Sequence, residues 1–203
     1  MIVIIDYGMG NLNSIKNILK KIGVSALITS NHAEIRSASK LILPGVGAFD
    51  NGMKNLKDMG IIEALNEAVL IHRTPILGIC LGMQLMTRSS EEGILPGLGW
   101  IDGKTVRFNR HDYPDLRVPN IGWNVLDINR QNPLFQGIDG SSRFYFVHSY
   151  HVCCNDSNDV VATTPYGIKF TSAFAKENII GVQFHPEKSL RFGFRVLENF
   201  VNI

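Results

Sequence analysis

The sequence predicts a single-domain α/β fold: a central, mostly parallel sheet flanked by helices, with antiparallel strands added in the second half. Three observations predict it. Short apolar runs alternate with helix-period segments through the first half of the chain. From Trp100 onward the apolar runs instead follow one another, separated by Gly, Asn, Asp and Pro. Finally, 203 residues at 45% apolar composition suffice for one sizeable core rather than two, so residues 1–203 are read as one domain.

Residues 2–5, Ile-Val-Ile-Ile, form the first strand. Leu12, Ile15, Ile18, Leu19 and Ile22 then recur at helical spacing, and Gly23 supplies a helix stop. Residues 26–29 and 40–43 are the next strands, residues 59–71 are mostly helical, and residues 76–79 form a strand that is apolar on both faces. Strands alternating with helices give right-handed βαβ units, and hence a parallel sheet covered on both sides. Residues 100–108, 123–128, 143–152, 160–164, 168–175 and 179–184 are further strands, some of them antiparallel additions. Residues 191–201 close the chain as a helix with Phe194, Leu197 and Val201 on one face.

Several classes are excluded. The net charge of +2 is dispersed, without a Lys/Arg cluster interleaved with aromatics, which argues against a nucleic-acid partner. No apolar run approaches the ~20 residues of a membrane span, and the N-terminus lacks the basic start of a signal peptide. Three cysteines, two of them adjacent at Cys153 and Cys154, do not make a disulfide framework, so a reducing cytoplasmic setting is expected. The same pair lacks a chelating spacing, and neither a metal nor a cofactor is expected.

The chemistry concentrates in three stretches. In "GICLG", Cys80 stands between Gly78 and Gly82 where a buried strand meets a helix. That is the spacing of a nucleophile elbow with cysteine in place of serine. Glycines on either side make room for a projecting side chain, and the N–H groups of the helix start favour a thiolate and can hold an oxyanion. Alone, the motif also suits a small core cysteine between packing glycines. A base and an orienter are offered by "GVQFHPEKS", where His185 and Glu187 stand two apart and share a face if the segment is extended. Pro186 biases His185 toward extended backbone. In "LILPGVGAFD", a strand ends in Pro44-Gly45-Val46-Gly47, whose backbone can approach a ligand closely; alone, it is an ordinary Gly-Pro turn. His32, His72 and His111 read as surface residues and His151 as packing.

Together the three stretches resemble the class I (triad) glutamine amidotransferases, which carry a cysteine elbow, a late His-x-Glu and a Pro-Gly-rich oxyanion loop in this order. "DYGMGNLNS", "LPGVGAF", "GICLGMQLM", "VPNIGWN", "FYFVHSYH" and "GVQFHPEKS" narrow the resemblance to the branch of glutaminase subunits that serve histidine biosynthesis. It spans nearly the whole chain and implies a flavodoxin-like sheet. By this resemblance Cys80 is the nucleophile, His185 the general acid/base and Glu187 its orienter. Leu81 and the Gly45-Val46-Gly47 loop supply oxyanion N–H groups. Gln84, Glu92, His148, Ser149 and Tyr150 contact the substrate, L-glutamine.

The resemblance also implies a heterodimer. Its synthase or cyclase partner is a (β/α)8 barrel that receives the ammonia through a sheltered channel. Asn11, Asn13, Asn120, Trp123, Asn124 and Lys188 are expected on the docking side. The oxyanion loop is expected to rest with its donor misdirected and to reorient on docking. At position 120 this chain has Asn where the branch usually has His, and its tail "EKSLRFGFRVLENF" is similar to a related branch that serves an ATP-dependent amidotransferase acting on a surface-polysaccharide sugar. A γ-glutamyl cysteine peptidase and a non-catalytic binding subunit remain as readings from other classes.

Overall fold

In the computed structural model, which describes residues 1–109, 111 and 116–203, four apolar runs build the parallel centre of the sheet. They are β1 (Ile2–Ile5), β2 (Ala26–Thr29), β3 (Lys40–Gly45) and β4 (Ile76–Cys80). The chain then adds β5 (Ser89–Ser90), β6 (Gly103–Arg107), β7 (Asn120–Val125), β8 (Asp127–Ile128), β9 (Arg143–His148), β10 (Tyr150–Cys154), β11 (Val160–Tyr166), β12 (Ile168–Lys176) and β13 (Ile179–Val182). The main sheet runs β2-β1-β3-β4-β13-β12-β10-β6-β5, with β11 and β8 continuing off β12, and β7 pairs with β9 in a separate two-stranded sheet. β2, β1, β3, β4 and β13 are mutually parallel, and β12 turns antiparallel against β13. The expected mixture of parallel and antiparallel pairing is therefore present.

Helices cover the sheet: α1 (Leu12–Ile22), α2 (His32–Arg36), α3 (Phe49–Asp58), α4 (Ile61–Asn66), α5 (Leu81–Leu85) and α6 (Leu190–Asn202). On α1, Ile15 and Leu19 are buried with Leu12, Ile18 and Ile22 packed beside them, and Gly23 ends the helix at φ +94°. One core lies between α1, α6 and one sheet face, and a second between the other face and α3 and α4. Among the described residues, no helix is long and apolar enough to cross a membrane.

Four expectations need correction. The helical stretch at 59–71 is α4 followed by a π-helical turn over Glu67–Ile71. α2 and α3 are additions to the expected elements, because each is short and mostly polar; the Asn31 cap, which accepts from the N–H groups of Ala33 and Glu34, is the available signal for α2. The strand expected over 143–152 is two strands, β9 and β10, that belong to different sheets and part at Ser149. On α6 the buried stripe is Gly193, Val196, Leu197 and Phe200, while Phe194 and Val201 lie at its margin.

Gly193 shows packing overriding propensity. In an open helix, alanine for glycine gains about 1 kcal/mol. Here a Cβ would stand 1.8 Å from the Pro186 carbonyl oxygen. Overpacking of this kind costs about 1–3 kcal/mol, so it outweighs the propensity gain. Gly193→Ala is therefore expected to lower the thermal unfolding temperature. Because Pro186 lies between His185 and Glu187, it should also lower activity; unchanged melting would contradict this packing.

Candidate active site

Cys80 ends β4 and Leu81 begins α5, so the backbone turns sharply at Cys80, which adopts φ +52°, ψ −109°. Few L-residues occupy that region. The flanking glycines explain how the turn is held. A Cβ on Gly78 would stand 2.8 Å from the Met83 backbone nitrogen, and one on Gly82 would stand 1.8 Å from the Leu43 carbonyl oxygen. The glycines let α5 fold back directly on β3 and β4, so the space they clear is for the backbone of this turn rather than for the cysteine side chain as expected. α5 has only five residues. Its contribution at Cys80 is the unpaired N–H groups of a first turn rather than the dipole of a long helix.

β3, β4 and β13 run parallel and adjacent, with Gly45 in register with Cys80 and Val182 with Ile79. Their carboxyl ends therefore deliver the Pro44–Gly47 loop, the cysteine and the His185 segment to one edge of the sheet, where ligands bind in open α/β folds. His185 is extended at φ −99°, ψ 96°, but Pro186–Lys188 form a 3₁₀ turn. The His185–Glu187 contact thus forms across a turn, not along a strand as expected. His185 Nδ1 lies 2.8 Å from Glu187 Oε1, with the side chains 1% and 2% exposed. The other ring nitrogen, Nε2, is buried without a hydrogen-bond partner of good geometry. Burial pulls the His185 imidazole down, but the neighbouring Cys80 and Glu187 outweigh it and hold it up at about 10.

A cleft of about 360 Å³ opens over Cys80 and His185, within the ~300–1,000 Å³ range of small-molecule sites. Val46, Gly47, Leu81, Gln84 and Glu92 line it, with His148, Ser149 and Tyr150 opposite. Gly45 lies behind, buried in β3, where a Cβ would meet the Tyr7 hydroxyl at 2.5 Å. The break between β9 and β10 is what turns His148, Ser149 and Tyr150 into the cleft. A larger hollow of about 630 Å³ lies near Ile128, Pro133 and Ile138 and holds no nucleophile or acid–base group.

Hydrogen bonds fix the polar groups. Gln84 Nε2 donates to the Tyr150 carbonyl at 3.1 Å and to Gln183 Oε1 at 3.1 Å. Glu92 Oε2 accepts from the Phe49 N–H at 2.8 Å, tying the cleft wall to the start of α3. Glu92 lies beyond α5 and β5 in a turn, not directly after a long helix. His148 Nδ1 lies 2.8 Å from the Tyr150 carbonyl, an acceptor only, so Nδ1 carries the hydrogen and Nε2 accepts from Asn120 Nδ2 at 3.1 Å. Burial pushes the His148 imidazole down to about 3. Sequence reasoning missed two contributors, Tyr7 and Gln183. The Tyr7 hydroxyl donates to the Pro44 carbonyl at 2.7 Å, and burial, then Cys80, pushes its phenol up. Gln183 is a fully buried amide just after β13, between the buried Val182 and Phe184, and a polar residue in that apolar run is the signal for it.

The expected docking residues divide. Asn11 and Asn13 are exposed at the start of α1, and Lys188 is exposed with its ammonium 5.7 Å from the Tyr145 ring centre. Trp123 is also exposed and meets Tyr145 edge-on at 5.8 Å. Asn120 is buried, and Asn124 donates to it at 3.2 Å. β7 alternates, so Ile121 and Trp123 point outward while Asn120 and Asn124 point inward, where Asn120 reaches His148. A surface position for Asn120 is thus corrected by strand period. His32, His72 and His111 are exposed, and His151 is buried 4.8 Å from Phe108, as expected.

The family model for glutamine amidotransferase class-I matches residues 3–203. The chain belongs to this family. Among curated relatives of this class-I amidotransferase, the imidazole glycerol phosphate synthase subunit HisH 2 of Methanococcus maripaludis is 54% identical over 99% of the chain and 98% of its own length. A protein of the same name from Pseudomonas aeruginosa is 49% identical over the full length of both. Among solved structures, a glutamine amidotransferase superposes with a TM-score of 0.75 at 20% identity over 98% of this chain and 97% of its own. A glutamine amidotransferase from Thermotoga maritima gives 0.67 at 19% identity over 99% of this chain and 82% of its own. At those identities the structural matches show the fold.

The two histidines shape the pH profile in opposite directions. His185 favours its imidazolium when folded, so its stabilisation is complete below pH 6.5 and lost as pH rises through about 10. His148 is held neutral when folded, so stability is lost as pH falls from 6.5 toward about 3. The melting temperature should therefore be highest near pH 6.5 and decline on both sides. Cys80→Ala should flatten the alkaline limb, because Cys80 helps raise His185; an unchanged limb would refute that coupling.

Proposed function

We propose that the chain is a glutaminase subunit that hydrolyses L-glutamine to L-glutamate and ammonia through a thioester on Cys80, and passes the ammonia to a cyclase partner in histidine biosynthesis. The observation that carries this is the strained Cys80 beside a buried His185–Glu187 pair at the floor of a cleft. The names of the curated relatives supply the pathway, and favour it over a sugar amidotransferase partner. The polar lining of Gln84, Glu92, His148, Ser149 and Tyr150 around a cleft of about 360 Å³ favours free glutamine over a longer γ-glutamyl peptide.

The reaction follows from the geometry. The Cys80 thiolate attacks the side-chain carboxamide carbon of glutamine, and N–H groups of Leu81 and of the Val46–Gly47 segment receive the developing oxyanion. His185, charged at neutral pH and oriented by Glu187, gives its proton to the departing nitrogen. Ammonia leaves, and water activated by the now neutral His185 hydrolyses the γ-glutamyl thioester. Gln84 uses both amide hydrogens inside the protein, so its Oε1 is left as an acceptor toward the substrate. Glu92 supplies negative charge for the substrate ammonium. Released ammonia would be protonated in water, so the cleft has to be covered. The outward Ile121 and Trp123, with Asn11, Asn13 and Lys188, form the surface on which a (β/α)8 barrel docks as a heterodimer.

Purified chain mixed with its cyclase partner should release glutamate and ammonia, and Cys80→Ala should abolish this by at least about 10³-fold. A glutamine-analogue affinity label should attach to the parent and not to the variant. Hydrolysis that survives the substitution would refute the assignment. The isolated chain should hydrolyse glutamine far more slowly than the complex, and full activity without partner would refute a resting loop. Trp123→Ala should weaken the complex at least about tenfold, read by titration calorimetry, while leaving the melting temperature within a few degrees.

A further inference from the structure

We propose that Gln183 is a further catalytic residue, whose side-chain amide donates an N–H to the Cys80 sulfur and is held in that orientation by Gln84. The inference rests on Cys80 being the nucleophile. Gln183 Nε2 lies 3.6 Å from Cys80 Sγ, and the side chain is fully buried.

The orientation follows from a chain of hydrogen bonds that begins at a group which can only accept. The Tyr150 carbonyl accepts from Gln84 Nε2, so the Gln84 amide presents its NH₂ inward. The same NH₂ donates to Gln183, which must therefore present Oε1 to Gln84. That leaves the Gln183 NH₂ on the side of the sulfur. The usual ambiguity between amide oxygen and nitrogen is thereby resolved by the network. His148 and Asn120 brace the anchor from the other side, since His148 Nδ1 also donates to the Tyr150 carbonyl and Asn120 donates to His148 Nε2.

The groups that bear on the sulfur can be named. From the segment after β13 come His185, with Glu187 behind it, and Gln183. From the segment after β1 comes Tyr7, whose hydroxyl is committed to Pro44. At the end of β9, His148 is neutral and the Val147 carbonyl lies 4.0 Å from the sulfur as an acceptor. His185 must surrender its proton during the reaction. Gln183 has none to give, so its N–H stays on the sulfur through every step, stabilising the thiolate before attack and when it departs from the thioester. An amide donor to an anion in a dry site is worth more than the same bond in water.

Two variants test this. Gln183→Met keeps length and burial but removes the donor. Gln183→Glu keeps an acceptor for Gln84 while replacing the donor with a carboxyl. Both are read by the rate of Cys80 alkylation with iodoacetamide against pH, and by glutamine hydrolysis in the complex with the cyclase partner. In both, the pH of half-maximal alkylation should rise by about one to two units. Alkylation at pH 7 should slow about tenfold to a hundredfold, recovering at high pH, and kcat should fall by a similar factor with KM changed less than about threefold. A variant that merely loosened the core would lose melting temperature without moving the alkylation profile. If the profile of a folded variant superposes on the parent, the proposal is overturned. If one variant does not fold, the other carries the test. Should glutamine hydrolysis survive Cys80→Ala, the glutaminase assignment itself fails; should it require Cys80 while both Gln183 profiles match the parent, only the role of Gln183 fails.

Discussion

A non-glycine residue at φ +52° costs on the order of 1–3 kcal/mol and persists only where its surroundings over-determine it. At Cys80 those surroundings are specific. β4 lies between β3 and β13, buried along its whole length and hydrogen-bonded on both sides, so the strand cannot shift to relieve the turn. α5 lies so close behind that Gly78 and Gly82 admit no side chain. The projection of the Cys80 side chain into the cleft, the direction of the first helical N–H groups and the proximity of His185 all depend on this one turn being held.

The second organising event is the break at Ser149. β9 pairs with β7 outside the main sheet, and β10 pairs with β6 and β12 within it. One chain crossing between two sheets leaves His148, Ser149 and Tyr150 at the gap, and the gap is the cleft wall. It also places the outward residues of β7, Ile121 and Trp123, on the rim while Asn120 and Asn124 reach inward. The exposed Ile121 and Trp123 and the inward Asn120 and Asn124 are thus opposite faces of one strand.

Much of the interior of the site is polar yet satisfied. Gln84, Gln183, His148 and Asn120 are all buried and hydrogen-bonded to one another or to the Tyr150 carbonyl. Such a network rigidifies when every member is paired, and each member lost leaves a buried group unmet. Of the four buried side-chain atoms without a hydrogen-bond partner among the described residues, Ser172 Oγ, Asn178 Oδ1, His185 Nε2 and Glu187 Oε2, two belong to the His185–Glu187 pair.

The parallel core was legible before any coordinates, through apolar runs of strand length alternating with helical period. So were Cys80, His185 and Glu187 as candidates, through a cysteine between glycines and a His-Pro-Glu after an apolar strand. Those features are local: periodicity, glycine spacing and proline each act within a few residues. Whatever depends on which strands become neighbours needed the folded chain. The order β3-β4-β13 brought residues 45, 80 and 185 to one edge. The split of residues 143–154 between two sheets could not be read from a continuous apolar pattern, because both halves are strand and only their partners differ. The inward placement of Asn120 and the burial of Gln183 against the sulfur likewise follow from pairing across the fold, which no stretch of sequence carries alone.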